Sequence, residues 1–356
     1  MTSTNTSTSS PHRAVLPQRV LVTGAAGFIG GYVVQELLAR GYLVTGLDNY
    51  SKYGPVRKSY DSDPGYRFVE GDARDVGLVR ELLTDCDHLI AGAAMIGGIS
   101  YFHTYAYDLL AANERIMAST CDAAIDAFGG GRLKKVTYLS SSMVYESTDH
   151  WPSLEGDERR VPPPLSSYGF QKLAVEYFAR AAWDQHGVPY TILRPFNCVG
   201  IGEQRALGDV EILSGNVKLA MSHVVPDLVQ KIVKGQDPLH VLGDGGQIRH
   251  YTYAGDLASG IVAAMEHPSA MNEDFNLSTA QSTTVTELAS AIWGRINGER
   301  PLAIVHDEPF AHDVQRRVPG VDKARLVLGF EATTTLETML AEVIPWIQRA
   351  VADGLL

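Results

Sequence analysis

The chain has 356 residues, 45% hydrophobic and 20% charged, a balance that supports a folded core and excludes the disordered and fibrous classes. Its formal net charge of -11 leaves no protein-wide positive field to gather phosphate backbones, which argues against nucleic acid; an anionic small ligand would need local arginines or lysines. Three dispersed cysteines (Cys86, Cys121, Cys198) form no CxxC pair and no HxxxH or HExxH motif occurs, so no disulfide framework or metal is expected, and a reducing cytoplasm is the expected compartment.

Residues 1–18 are Ser/Thr-rich without a signal-type apolar run and read as a flexible tail. No stretch reaches the ~18 apolar residues of a membrane span. From there the pattern alternates. RVLVTG (19–24) predicts a buried strand, 28–41 a helix, 42–48 a second strand, 66–72 a third, Val76 to Leu83 a helix and 88–94 a fourth strand. A long helix over 106–128, a strand over 136–142, a Pro-rich loop over 161–164, a helix over 167–186 and a strand over 190–196 follow. This βαβ repetition predicts an α/β chain with a doubly wound parallel sheet.

Beyond Asn197 the alternation loosens into a long loop (198–223), a helix near 226–234, a strand over 239–243 and a helix over 286–296. The expected division is a dinucleotide-binding domain over 19–196, with 250–278 returning to it, and a smaller substrate-binding cap over 197–249 and 279–356.

Between the first strand and helix, GAAGFIG spaces Gly24, Gly27 and Gly30 as GxxGxxG. Glycines there permit a tight turn and close approach of backbone N–H groups to a pyrophosphate at a helix N-terminus. The expected contact set is Gly24, Gly27, Phe28, Ile29 and Gly30. Asp48 ends the second strand, where a carboxylate bonds both ribose hydroxyls and repels a 2'-phosphate, selecting NAD over NADP; Asn49 adjoins it. Asp72 and Ala73, in GDARD after the third strand, lie within reach of the adenine end.

Tyr168 and Lys172 in SYGFQK stand four apart near a helix start and so share one face. A neighbouring ammonium favours the phenolate, which can then take a proton from a hydroxyl while the carbon's hydride leaves to the nicotinamide. YLSSSMVY (138–145) brings hydroxyls to the carboxyl edge of a parallel sheet, where Ser141 or Ser142 can orient the reacting oxygen.

GAAGFIG, Asp48, the Ala93–Ala94 pair, Asn113, SSSMVY, YGFQK, RPFN and GDGGQIRHYTYAGDLA stand in one order. From about Arg19 onward the chain thereby resembles extended short-chain dehydrogenases/reductases of the nucleotide-sugar epimerase and dehydratase type. The resemblance implies a Rossmann-type sheet with a mixed α/β cap, NAD as cofactor and a nucleotide-diphosphate sugar as substrate. It also implies a homodimer paired through the helices over 106–128 and 167–186. In it Ser141 takes the catalytic Ser/Thr place, Tyr168 is the base and Lys172 holds the nicotinamide ribose. Ala93, Ala94 and Asn113 fall on the cofactor side; Ser142, Met143, Asn197 and Arg249 fall on the substrate side. Arg249 grips the diphosphate, and Arg317, in the tail segment 312–325, matches a phosphate or ribose contact.

Dehydratases and decarboxylases of this type carry a Glu where Met143 stands, and methionine neither donates nor accepts a proton. The expected reaction is therefore C4 epimerisation of an NDP-hexose or NDP-hexuronic acid through a transient 4-keto sugar. MIGGIS (95–100) is similar to the loop of GDP-mannose 3,5-epimerases, with Lys218 as a possible lysine, yet the thiol of those enzymes is absent; that reaction ranks second, ahead of dehydration or decarboxylation. A non-catalytic NAD-binding sensor is the alternative from another class, and retention of Ser141, Tyr168 and Lys172 argues against it.

Overall fold

A computed structural model describes residues 17–96, 105–203, 206–207, 212–219, 223–309 and 314–354. The expected tail, apart from its last two residues, lies outside them, as do most of the MIGGIS loop and parts of the cap loop.

The first strand, β1 (Arg19–Thr23), is buried beyond its first residue, because Val20, Leu21 and Val22 face apolar layers on both sides of the sheet. After α1 (Phe28–Ala39) come β2 (Leu43–Asp48), β3 (Tyr66–Glu70), α2 (Val76–Leu83), β4 (His88–Ala91), α3 (Ala106–Gly129), β5 (Lys135–Leu139), α4 (Ser167–His186) and β6 (Tyr190–Pro195). The sheet is completed by β13 (Glu273–Leu277), reached through α6 (Ala254–Glu266). Its seven strands run in the order β13-β6-β5-β4-β1-β2-β3, and every pairing is parallel. Strand order reverses between β1 and β4, which opens the crevice where ligands of such sheets bind. One apolar layer joins α1 and α6 to the sheet, and the other joins α2, α3 and α4.

Several helix ends are set locally. Asp75 caps α2 by accepting from Gly77 N and Leu78 N at 3.0 and 3.1 Å. Ser166 caps α4 through Gly169 N at 3.0 Å, and Gly187 ends that helix at φ 70°.

The remaining strands and helices lie outside the seven-stranded sheet. They are β7 (Cys198–Val199), β8 (Ile212–Ser214), β9 (Val217–Leu219), α5 (Val224–Val233), β10 (Leu239–Leu242), β11 (Ile248–Arg249), β12 (Thr252–Tyr253), β14 (Thr283–Thr284), α7 (Val285–Asn297), β15 (Ile304–Asp307), α8 (Asp322–Leu328) and α9 (Leu336–Ala352). Helices α5, α7 and α9 share a third core with β10.

The structure amends the expected layout in three places. The segment 198–223, read as loop, holds β7 and the antiparallel β8–β9 pair. The strand expected to run through 142 stops at Leu139, because Ser141 bonds Met143 N and turns the chain into a 3-10 helix over Ser142–Tyr145. Ala324, Phe330 and Ala332, assigned to the cap, pack instead into the apolar layer of α1 and α6. Among the described residues no helix is long and apolar enough to cross a membrane.

Candidate active site

The glycine turn sits at the reversal point. Gly24 has φ +77°, and a Cβ there would stand 3.0 Å from the Ala93 backbone. A Cβ on Gly30 would meet the Gly24 carbonyl oxygen at 2.0 Å, so only glycine lets α1 begin this close to the turn. Gly27, the N-cap, offers no side-chain bond to the first turn, which leaves the amides around Phe28, Ile29 and Gly30 facing an anion's place. Thr23 Oγ1 accepts from Gly92 N and Ala93 N, each at 3.2 Å, and so pins the Ala93–Ala94 loop beside the turn. A backbone cradle without side chains at a helix N-terminus fits a dinucleotide's pyrophosphate.

Asp48 binds the turn as well as standing at the ribose end. Its carboxylate accepts from Ala26 N at 3.0 Å and Tyr50 N at 2.8 Å. Burial lifts its pKa above the usual carboxylate range, against the pull of those N–H groups and of Lys58. Two oxygens offer about four acceptor sites, so capacity for ribose hydroxyls remains. Asp72 is held low by Arg74, whose Nη2 lies 2.6 Å away, and also accepts from Asn49 Nδ2 at 3.3 Å. The Ala73 methyl is buried in the core, so only its backbone is open to a ligand.

Asn113, expected on the cofactor side, braces the loop after β4: its Oδ1 accepts from Met95 N at 2.7 Å and its Nδ2 donates to Met95 O at 2.9 Å. Each end of the amide thereby bonds the loop after β4 and keeps one further hydrogen-bonding position.

Tyr168, Ser141 and Lys172 converge. Ser141 is hydrogen-bonded to the Tyr168 phenol; Lys172 Nζ donates to Leu139 O at 3.0 Å and lies 5.9 Å from the Tyr168 ring centre. Burial holds the phenol above the ordinary tyrosine range, while the Ser141 bond and the charge of Arg317 draw it down. The charge of Arg317 thus adds to that of Lys172, the cation expected at the phenol. Burial brings Lys172 itself down to about 8.

What presses these groups together escaped sequence reasoning. Glu146 Oε2 accepts from both Ser166 N and Ser166 Oγ at 2.9 Å, tying the start of α4 to the turn after Ser141. Gly169, between Tyr168 and Phe170, has Met143 O and Glu146 Oε2 at 2.9 Å from where a Cβ would stand. The glycine in YGFQK was the available signal, since a close approach needs one.

Met143 packs on Tyr168 and Leu109. Ser142 and Arg317 line one small pocket with Phe196 and Arg316. Arg317 N donates to Ile248 O at 3.1 Å, so its segment runs beside Arg249, a buried residue whose Nη1 donates to Ile248 O at 3.0 Å. Asn197 adopts φ 32°, and its buried Oδ1 has no hydrogen-bond partner among the described residues. Tyr251, unnoticed in the sequence, has a buried hydroxyl near the charges of Arg249 and Arg317. Lys218 stands exposed on β9. No cluster of three metal-ligating side chains occurs among the described residues.

The sequence matches the profile of the NAD dependent epimerase/dehydratase family over residues 20–278. It is 28% identical to the UDP-glucose 4-epimerase 3 of Oryza sativa subsp. japonica over 93% of this chain and 90% of that one. It is 26% identical to a UDP-N-acetyl-alpha-D-glucosaminuronate decarboxylase of Bacillus cytotoxicus over 95% and 100%. Among solved structures, MoeE5 in complex with UDP-glucuronic acid and NAD is similar at a TM-score of 0.77 and 27% identity, over 93% of this chain and 99% of that one.

Proposed function

Because the chain belongs to the NAD dependent epimerase/dehydratase family, we propose that it inverts C4 of a nucleotide-diphosphate hexose or hexuronic acid through a transient 4-keto sugar. The cofactor is NAD, which when bound supplies the hydride acceptor and donor. In this reading the amides of the glycine turn receive its pyrophosphate, Asp48 its adenosine ribose and Lys172 its nicotinamide ribose. Tyr168 takes and returns the proton of the sugar hydroxyl, and Ser141 shares a hydrogen bond with that oxygen and orients it. Arg249, Arg317, Asn197 and Ser142 face the nucleotide diphosphate and sugar, the guanidinium groups binding phosphate oxygens in pairs.

One observation carries the choice of reaction. The side chain packed against the Tyr168 ring from the turn is Met143, which has no proton to give. Elimination and decarboxylation draw on an acid at that position, whereas inversion at C4 needs only the phenol and a pocket in which the ketone can turn. The UDP-sugar enzymes among the relatives support the substrate class. We extend the reading to a homodimer paired through α3 and α4, since Phe170, Tyr177 and Trp183 on α4 and Tyr107 on α3 are exposed aromatics.

The test is product analysis by NMR and mass spectrometry with UDP-glucose, UDP-glucuronic acid, GDP-mannose and dTDP-glucose. Inversion at C4 alone is expected. Inversion at C3 or C5, loss of water or loss of carbon dioxide would each overturn the reading.

A further inference from the structure

Directly behind the three reacting side chains lies a buried ionic cluster to which the proposed reaction assigns no work. Its centre is Arg194 on β6, which is 0% exposed. The guanidinium forks onto Glu176 of α4, with Nε to Oε1 and Nη2 to Oε2 both at 2.7 Å. Nη2 also stands 2.7 Å from Asp274 Oδ2 and 3.2 Å from Glu158 Oε1, while Nη1 donates to Tyr145 Oη at 2.9 Å. Burying a guanidinium with several carboxylates carries a desolvation penalty that apolar packing avoids, so stability alone is a weak reason for it. Fixing one geometry is the better-attested use.

Ser140 connects this cluster to the site. Its Oγ donates to Glu176 Oε1 at 2.7 Å and lies 3.3 Å from the Lys172 carbonyl. A hydroxyl has one proton, and the nearer, charged acceptor takes it. The residue before Ser140 is Leu139, whose carbonyl receives Lys172 Nζ; the residue after it is Ser141, bonded to Tyr168. On the helix Tyr168, Lys172 and Glu176 follow at intervals of four. Three successive residues at the strand end are thus tied to three successive turns of one helix face. The Ser140 tie is anchored in turn to a buried cation, which also holds Tyr145 at the far end of the turn that Ser141 begins.

We infer that Ser140 and Glu176, held by Arg194, are positioning residues that fix the Ser141 hydroxyl against the Tyr168 phenol, an inference that rests on the epimerase reading of the site. Neither touches the reacting atoms. A displacement of about 1 Å at a reacting pair lowers turnover on the order of a hundredfold, so a tie of this kind acts on kcat rather than on substrate binding.

Ser140→Ala removes the tie while the Arg194–Glu176 pair, Ser141, Tyr168 and Lys172 all remain. On the sugar nucleotide that the wild-type protein epimerises, kcat is expected to fall about tenfold, with KM and NAD affinity within twofold of wild type. A second readout needs no turnover. With 3-fluorotyrosine replacing Tyr168 in the NAD-loaded protein, the 19F resonance reports the phenol's titration, and Ser140→Ala moves its midpoint to higher pH by loosening the Ser141 bond. Unchanged kcat with an unchanged midpoint overturns the inference, even where the melting temperature falls, because the tie is then structural only. If the wild-type protein turns over none of the sugar nucleotides, the epimerase reading fails by itself. The fluorine comparison still decides the positioning claim, a shift supporting it and no shift refuting it.

Discussion

Replacing Gly30 by alanine tests the phosphate cradle most directly. The added methyl would stand 2.0 Å from the Gly24 carbonyl oxygen and 2.9 Å from its carbonyl carbon, where real Cβ atoms essentially never come within 3.0 Å. Both neighbours are backbone, so no side chain can rotate away and the turn itself must move by about 1 Å. Forcing an extra methyl into packed surroundings costs about 1–3 kcal/mol. A displaced turn must be driven back to receive the pyrophosphate, so that free energy is subtracted from cofactor binding. At tenfold per 1.4 kcal/mol, the Kd for NAD should rise roughly tenfold to a hundredfold. Gly27→Ala meets the same oxygen at 3.1 Å and should raise Kd only about two- to fivefold. Gly129→Ala meets nothing within 4 Å and should leave Kd unchanged. Isothermal titration of nucleotide-stripped protein with NAD measures all three. A Gly30→Ala affinity within twofold of wild type, or a Gly27→Ala variant weaker than it, would refute the steric argument.

Tyr168→Phe should retain NAD affinity while kcat drops on the order of a thousandfold, the usual worth of a positioned proton acceptor; single-turnover kinetics with near-normal rates would remove Tyr168 as the base. Turnover through a phenolate rises with pH, and Arg317 draws the phenol's pKa down, so Arg317→Gln should move the ascending limb of the kcat–pH profile to higher pH. A limb that stays in place, or moves to lower pH, contradicts that coupling. Tyr177 is 62% exposed on α4, and Tyr177→Arg should convert the proposed dimer to a monomer in light scattering at micromolar concentration; a wild-type protein that is already monomeric there disposes of the interface.

Local signals made much of the fold legible. The helices expected around Val76–Leu83 and from about Ser167 to His186 form there, and Asp75, Ser166 and Gly187 mark their ends within one turn. The β8–β9 hairpin went unread although Gly215 and Asn216, a two-residue loop between short apolar runs, announce it. The serines of SSSMVY suit either a strand end or a turn, so their spacing alone fits the strand expected through 142. The bond from Met143 N to Ser141 Oγ at 3.2 Å settles the matter for the turn. The bonds by which Asn113 holds the Met95 backbone had no signal in the sequence, because the two residues lie on separate elements 18 positions apart.

By itself the sequence determined the alternation of strands and helices, the glycine turn with its carboxylate, and the pairing of a phenol with a lysine. Each depends on periodicity, capping or spacing within a few turns of chain. Tertiary structure alone decided that the charge of Arg317 also reaches Tyr168, that Glu146 clamps the helix start, and that Ser140 joins Glu176 and Arg194 behind the site. Those contacts arise where strand register and helix packing bring distant segments within hydrogen-bonding distance. A buried charge finds its partner only once water has been excluded from around both, a condition that no local pattern of residues expresses.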